Sequence, residues 1–540
     1  MPSSTTHTPR AKKTTGLRYW MQRVLEECEH VAADFSPDPV HDLRVSLRRC
    51  RSLADGLYAL DPDPNWKAMR RGGKRLFQRL GALRDIQIMM EWIEKLHPTE
   101  ANAEQARVER ALLPALPPSQ PNNESISSSD DPAAQALLKI LGAREEEQKL
   151  EAHAALEEFD RKQWRQWSRS LPARAARIRL GSALFKHLAL ERWAEARELH
   201  SRALRNHSQT ALHSLRIGIK RFRYIVENFL PAEHKAWSND LKEMQDLLGE
   251  VHDLDVLWAT AVSSHVFPDG QSRQRWHERI LSERTKRIDR YRSKMMGPDS
   301  LWQVWRAALP QGKQIQSLAT RRMKLWANGL DPDFPHSERV AGLALQLYDG
   351  LLASGWQPSV NGISARASLL AAALLHDVGK FKGRKGHHKA SFDMIRAHGH
   401  PIGWKAADLQ RAAAVARFHC GALPTRKHKA LRDLLPDEQK ATIQLAAILR
   451  LANSLDAAHD GHIRCIQIKN AQIRARGDEA LIVAAEGYSP LGPSAQTIAA
   501  ERHLLETVLR RPVVIKPMPH PARPGRESHL GATASVVRRA

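Results

Sequence analysis

From about residue 15 to residue 310, apolar side chains recur every three or four positions, the interval that keeps them on one face of an α-helix. Wound on a helix, Leu43, Leu47, Cys50, Ala54 and Leu57 fall on one arc, as do Leu215, Ile219, Phe222, Val226 and Phe229. The pattern stops at 114–132, "PALPPSQPNNESISSSDDP", whose Pro, Ser and Asn predict a mobile loop or linker. Helical spacing returns over about 315–457. Then the period shortens: "IRCIQIKNAQIRARGDEALIVAAEG" alternates, turns at Gly477 and Asp478, and resumes, which predicts a small hairpin. A helix near 493–510 and a short strand, "PVVIK", follow, and the polar segment 519–540 is expected to be disordered. The fold class this predicts is mainly α.

Charge changes the picture more than composition does. Lys and Arg number 83 against 59 Asp and Glu, a formal net charge of +24. That balance implies a polyanionic partner: nucleic acid, an anionic membrane or a phosphate polymer. Cys28, Cys50, Cys420 and Cys465 show no CxxC spacing, which argues against a zinc ribbon or a disulfide framework and fits a reducing compartment. The opening "MPSSTTHTPRAKKTT" has no apolar core, and no run of about 18 apolar residues occurs anywhere. The expectation is a cytoplasmic protein without a membrane partner.

The first half contains a repeat. "HDLRVSLRRCR" at 41–51 returns as "HSLRIGIKRFR" at 213–223, an offset of 213 − 41 = 172. "LGALRDIQI" at 80–88 returns as "LGEVHDLDV" at 248–256, an offset of 248 − 80 = 168. Two separate matches at nearly one offset indicate a duplicated helical unit. In each copy the cations share a face. His41, Arg44, Arg48 and Arg51 span an arc of roughly 80° on a helix, and His213, Arg216, Lys220 and Arg223 repeat it. Lys74 and Lys242 correspond as well, each 11 residues before the repeated Asp85 and Asp253. Like charges stacked along one helix face repel, and an anion lying on that face reverses the sign. One such helix is commonly just a soluble basic surface. Two copies, each led by histidine, point to an anion.

On these motifs residues 15–305 resemble a CHAD domain, the conserved-histidine α-helical domain. The resemblance implies two helical bundles related by pseudo-twofold symmetry around a basic channel that binds inorganic polyphosphate. His41, Arg44, Arg48, Arg51, Lys74, His213, Arg216, Lys220, Arg223 and Lys242 inherit that role. Such a polymer, charged on every unit, would bind through counterion release, as DNA does. Single-strand nucleic-acid binders add stacking aromatics. The basic faces here carry none, although Tyr224 lies near, so nucleic acid is the weaker expectation.

The second half raises metal chemistry. "LLAAALLHDVGKFKGRKGHHKAS" at 369–391 ends an apolar helix on the adjacent pair His376 and Asp377, then turns basic. Adjacent helical residues diverge by about 100°, so further ligands must come from other helices. His336, His388, His419 and Asp456 are candidates at or near helix ends. A set of imidazoles and carboxylates suits Mn, Fe, Ni, Co or Zn, one or two ions per site. Lys380 lies one turn beyond His376, placed to contact a phosphate oxygen. The order H…HD…H…H…D resembles the HD superfamily of metal-dependent phosphohydrolases. That resemblance assigns His336, His376, Asp377 and Asp456 to the metal set and suggests His388 and His419 for a second ion. It makes Asp377 the residue that bridges ions or orients the attacking water.

More closely, 315–518 resembles the C-terminal HD-type domain of the exopolyphosphatase/guanosine pentaphosphate phosphatase family, through "VARFHCGALP", "LAAILRLANSLD" and the trailing hairpin, helix and strand. The actin-like region that carries catalysis in that family is absent here. The His-Asp pair, often lost there, is kept. The expected architecture is therefore a duplicated helical-bundle CHAD domain over 15–305, interrupted at 114–132. An α-helical HD domain over 315–518 follows, with a small β element, and then the 519–540 tail. The expected function is polyphosphate binding joined to metal-dependent hydrolysis of polyphosphate or a phosphorylated nucleotide. The rivals are a non-catalytic, granule-associated polyphosphate binder with a structural HD domain, and a nucleic-acid-binding protein.

Overall fold

The computed structural model describes residues 16–97, 131–206, 208–472 and 479–518. The interruption expected at 114–132, up to residue 130, the turn at Gly477 and Asp478, and the 519–540 tail lie outside the described residues. The chain divides into two compact units, Met1–Trp326 with Pro401–Gly403, and Ala327–His400 with Trp404–Ala540.

The first unit is helical. It runs through α1 (Leu17–Ala33), α2 (Pro37–Tyr58), α3 (Pro64–Gly72), α4 (Lys74–Leu96), α5 (Pro132–Glu157) and α6 (Arg161–Ala175). Then come α7 (Ala183–Asn206), α8 (Gln209–Phe229), α9 (Pro231–Ser263), α10 (Gly270–Met295), α11 (Leu301–Ala307) and α12 (Lys313–Asn328). Side-chain caps mark several starts. Asp131 accepts from Ala133 N and Ala134 N at 3.0 and 3.2 Å, and Asp269 accepts from Ser272 N at 2.7 Å. Each such cap stabilises by about 1 kcal/mol.

The duplication is structural. Helix α1 packs on α2 as α7 packs on α8, α2 on α4 as α8 on α9, and α4 on α5 as α9 on α10. The copies then meet along α2 with α8 and α4 with α9. The apolar arcs read from the sequence, 43–57 and 215–229, are all buried. Gly56 admits the Phe229 ring of the other copy: a Cβ there would overlap it, with a second ring carbon at 2.8 Å. One difference breaks the symmetry. Copy one is interrupted between α3 and α4 at Gly72 and Gly73, where copy two runs unbroken through α9. Trp167 of α6 sits so close that a Cβ on Gly72 would lie 2.8 Å from its ring.

The second unit comprises α13 (Phe334–Ala353), α14 (Gly362–Leu375), a 3₁₀ turn (Val378–Lys382), α15 (His387–His398), α16 (Ala406–Arg417), α17 (Lys429–Arg432) and α18 (Pro436–Leu455). Strands β1 (Ile466–Gln472) and β2 (Glu479–Ala485) pair antiparallel, with Ile468 opposite Val483. Helices α19 (Ala495–Glu501) and α20 (His503–Leu509) return the chain to β3 (Val513–Pro517), parallel to β2. The sequence predicts one helix at 493–510, and the chain forms these two short ones. Helices α14, α16 and α18 are mutually packed, and α13 lies on α14 and α18. Alanines fill the crossings, with Ala371, Ala372, Ala373, Ala412, Ala413, Ala414, Ala446 and Ala447 all buried. Small side chains let these helices approach closely, and several helix ends then gather at one place.

Candidate anion site and candidate metal centre

In the first unit the basic stripes sit on α2 and α8, the two helices along which the copies meet. Arg44, Arg48, Arg51, His213, Arg216, Lys220 and Arg223 are all half-buried, while His41, Lys74 and Lys242 are exposed. Half-burial means the stripes line a shared space. Lys220 shows it: burial first, then Arg216 of its own helix and Arg48 and Arg44 of the other copy, bring its ammonium down to about 8. Asp85, from copy one, opposes them.

The copies place arginine alike. Arg44 Nη2 lies 4.0 Å from where a Cβ on Gly81 would stand, and Arg216 Nε lies 4.0 Å from the same point on Gly249. Glycine in "LGALRD" and "LGEVHD" leaves the space that each guanidinium crosses. Among the described residues, Arg48, Arg216, Lys220, Lys74 and Lys242 form no ion pair. Arg48 Nε and the Tyr224 hydroxyl are buried without hydrogen-bond partners. Buried polar groups are normally satisfied, so unpaired donors beside unpaired cations make a site suited to a bridging anion. Carboxylates temper it: burial, outweighing Arg216 and reinforced by Asp85 and Glu250, raises Asp253 to about 6. Burial also pushes the Asp246 carboxyl up. Arg51 takes a side position, 4.9 Å from the Phe77 ring and donating to the Arg70 carbonyl at 2.9 Å.

In the second unit the helix ends converge on Asp377. His376 Nε2 lies 3.4 Å from Asp377 Oδ2, while His387 Nε2 and His419 Nε2 lie 3.2 and 3.7 Å from Asp377 Oδ1. Three imidazoles are pinned identically. His376 Nδ1 donates to the Ala373 carbonyl at 2.7 Å, His387 Nδ1 to Arg384 at 2.9 Å, and His419 Nδ1 to Ala416 at 2.7 Å. Each bond reaches back three residues, fixes the Nδ1–H, and turns Nε2 toward the carboxylate. Histidines that ligate metals are oriented in this way.

His336 uses a side chain instead: its Nδ1 donates to Asp456 Oδ2 at 2.7 Å, and its Nε2 lies 3.1 Å from Asn453 Oδ1. Arg339 Nε and Gly461 N also donate to Asp456, at 2.9 and 3.0 Å. Asp456 is thus held as the partner that orients His336.

The charges follow the geometry. Burial raises the Asp377 carboxyl, but the surrounding imidazoles, His376 first and then His387 and His419, override it and hold Asp377 far below the ordinary range. Asp377, then the Cys420 thiol, lift His387 to about 10. Burial and the neighbouring His376 hold His419 well below its usual value. Lys380 is paired with Asp377 Oδ2.

Two sets of ligand atoms each lie within 4.8 Å of one another: His336, His376 and Asp377, and His387, His419 and Cys420. His376 Nε2 and Asp377 Oδ1 are buried without hydrogen-bond partners. Imidazole and carboxylate atoms left unsatisfied at one point fit a divalent ion. Of the six residues expected as ligands, His336, His376, Asp377 and His419 come together, and Asp456 stands behind His336. His388 does not join them; its ring lies 6.5 Å from that of His419, outside both ligand sets. His387, its neighbour, takes the place, because helix α15 begins there and presents the first of the two rings. Cys420 and His459 were also missed; His459 stacks on His336 at 3.8 Å. The doublet "HH" and the adjacent "HC" carried that signal, without saying which member faces inward.

Comparison with family models matches residues 17–262 to the CHAD domain and residues 321–493 to the Ppx/GppA phosphatase, domain III. The chain joins a CHAD domain to a Ppx/GppA phosphatase domain III. Comparison with curated proteins gives no match. The two domains together support a polyphosphate-related, phosphatase-like role. Among the described residues no helix is long and apolar enough to cross a membrane.

Proposed function

We propose that the CHAD domain binds inorganic polyphosphate along the facing stripes of α2 and α8, and that the second domain is an HD-type metal-dependent phosphohydrolase. Its substrate is polyphosphate or a phosphorylated nucleotide. The observation that carries the proposal is the trio His376, His387 and His419, each pinned through Nδ1 and turned by Nε2 on Asp377. His336, His376 and Asp377 would hold one ion, with His387, His419 and Cys420 available to a second. A bound divalent ion supplies Lewis acidity and neutralises charge that develops on a transferred phosphoryl group.

The protein's own groups do the rest. Asp456 and Arg339 keep His336 in place. Asp377, held ionised, would orient the attacking water. Lys380, paired with Asp377, lies at the edge of the cluster where a phosphate oxygen would arrive. Lys382, Arg384 and Lys385 beside it are exposed and attract anions. The test is orthophosphate release from polyphosphate, with and without added Mn²⁺, alongside a nucleotide panel. Release that needs metal and is lost in Asp377→Ala supports the proposal; release from neither substrate under any metal defeats it.

The Lys380 contact favours a second reading. A carboxylate already neutralised by Lys380 and His387 can persist as a buried ion pair, leaving a structural domain on a polyphosphate-binding protein. Metal analysis of the purified protein separates the two, since a structural domain would hold no transition metal through gel filtration.

A further inference from the structure

The first unit contains a cavity of about 650 Å³ among the end of α7, the end of α10 and α11. Its far wall, Met295 to Ala307, lies beyond the segment matched to the CHAD domain. Among the described residues no carboxylate lines it, although Arg197, Arg205 and Arg306 do. Arg197 and Arg205 form no ion pair among the described residues, and Arg306 bonds only to carbonyl oxygens, of Leu309 and Pro310. Three arginines without a carboxylate partner around a single space make a surface suited to an anion.

The remaining wall is not suited to a bare inorganic anion. Trp193 and Trp302 meet edge to face at 6.0 Å, and Met295, Met296 and Leu204 add apolar surface. Arg197 lies 5.8 Å from the Trp302 ring and Arg306 lies 5.8 Å from the Trp193 ring, so cations and aromatics alternate. The Trp302 indole N–H is buried and has no hydrogen-bond partner, while the Trp193 indole donates to the Trp302 carbonyl at 3.2 Å. Polyphosphate has nothing to offer tryptophan or methionine. A ligand with a flat apolar body and several negative charges uses both halves of the wall. The volume falls within the roughly 300–1,000 Å³ of small-molecule sites.

We propose that this cavity is a second anion site, distinct from the stripes of α2 and α8, and that it takes a nucleoside phosphate. The base lies against Trp193, Met295 and Met296, and the phosphates meet Arg197, Arg205 and Arg306. The site belongs to the first unit alone and does not depend on catalysis in the second.

The test uses the full chain and four probes: ATP, GTP, adenosine and tripolyphosphate. Titration calorimetry should show saturable binding of at least one nucleotide, with adenosine and tripolyphosphate each at least about tenfold weaker, since each retains half of the contacts. Arg197→Gln combined with Arg205→Gln should weaken nucleotide binding about tenfold or more, because two charge-assisted bonds are lost. Long-chain polyphosphate, held elsewhere, should bind the double variant as it binds the parent. Photo-crosslinking with 8-azido-ATP gives a readout independent of any variant, and should label peptides within 193–205 or 295–307. Labelling confined to other peptides overturns the site. Equal affinity for tripolyphosphate and ATP, or nucleotide binding unchanged in the double variant, overturns it as well. Absence of hydrolysis in the second domain would leave these outcomes untouched, so this proposal and the hydrolase reading fail separately.

Discussion

A Cβ on Gly379 would overlap the carbonyl oxygen of His387 and stand 2.6 Å from Ser391 N. That contact seats the start of α15 against the 3₁₀ turn. Ser391 Oγ completes it, donating to the His376 carbonyl at 2.6 Å and accepting from Gly379 N at 2.8 Å. The glycine of "HDVGK" is therefore what allows His387 to reach Asp377.

Gly379→Ala should push α15 outward and separate His387 from Asp377. Overpacking of this kind costs about 1–3 kcal/mol. The expected outcome is a folded protein with a lowered Tm, whose metal content and metal-dependent phosphate release fall together. A variant with parental metal content would show that α15 does not contribute.

Among the histidines, His387→Ala and His388→Ala should differ. Loss of His387 removes a ring 3.2 Å from Asp377, whereas His388 belongs to neither ligand set. Plasma emission analysis after metal loading should find less bound metal in the first variant and a parental amount in the second. Asp377→Ala should abolish any phosphate release and leave polyphosphate binding intact, since the stripes lie in the other unit.

For the stripes, Arg216→Gln and Arg44→Gln should each weaken polyphosphate binding. By analogy with DNA, each lost phosphate contact lowers the slope of log affinity against log salt by roughly one. Filter binding across a salt series measures both effects. An unchanged slope when Arg44→Gln and Arg216→Gln are combined would remove α2 and α8 from the binding surface.

The same surface makes binding depend on pH. Lys220 has been brought down to about 8, so its charge is full below that value and lost above it. Asp253 has been raised to about 6, so its negative charge is present above that value and removed below it. Both signs run the same way for an anion. Affinity for polyphosphate should be highest below pH 6 and should fall again above pH 8, by up to about tenfold per unit for each linked proton. Lys220→Arg, which stays charged, should flatten the alkaline limb.

Where the copies meet, Gly56 receives the Phe229 ring. Gly56→Ala should destabilise the first unit by about 1–3 kcal/mol, read as a shift in thermal midpoint. A neutral result would mean the two copies can slide apart without loss.

Much of this molecule was legible in its letters. Apolar spacing at 43–57 and 215–229 marks faces that are buried in the fold, because a helix holds its period whatever it packs against. The paired motifs at offsets 172 and 168 foretold a duplicated unit, and the shortened period after 463 foretold β1 and β2. The pair "HD" at a helix end announced a cluster of ligand atoms.

Other features depend on how separate segments meet, and no local pattern encodes them. His387 rather than His388 faces Asp377 because α15 starts at that residue and is seated by Gly379 and Ser391. Asp456 orients His336 because α18 ends beside the start of α13. The stripes share one space because α2 and α8 pack together, which also sets the proton affinities of Lys220 and Asp253. Periodicity and motif type are short-range properties of the chain, fixed by helix and strand geometry. Which ring turns inward and which cations stay unpaired are long-range properties, fixed only when close packing chooses one approach of each helix to the next.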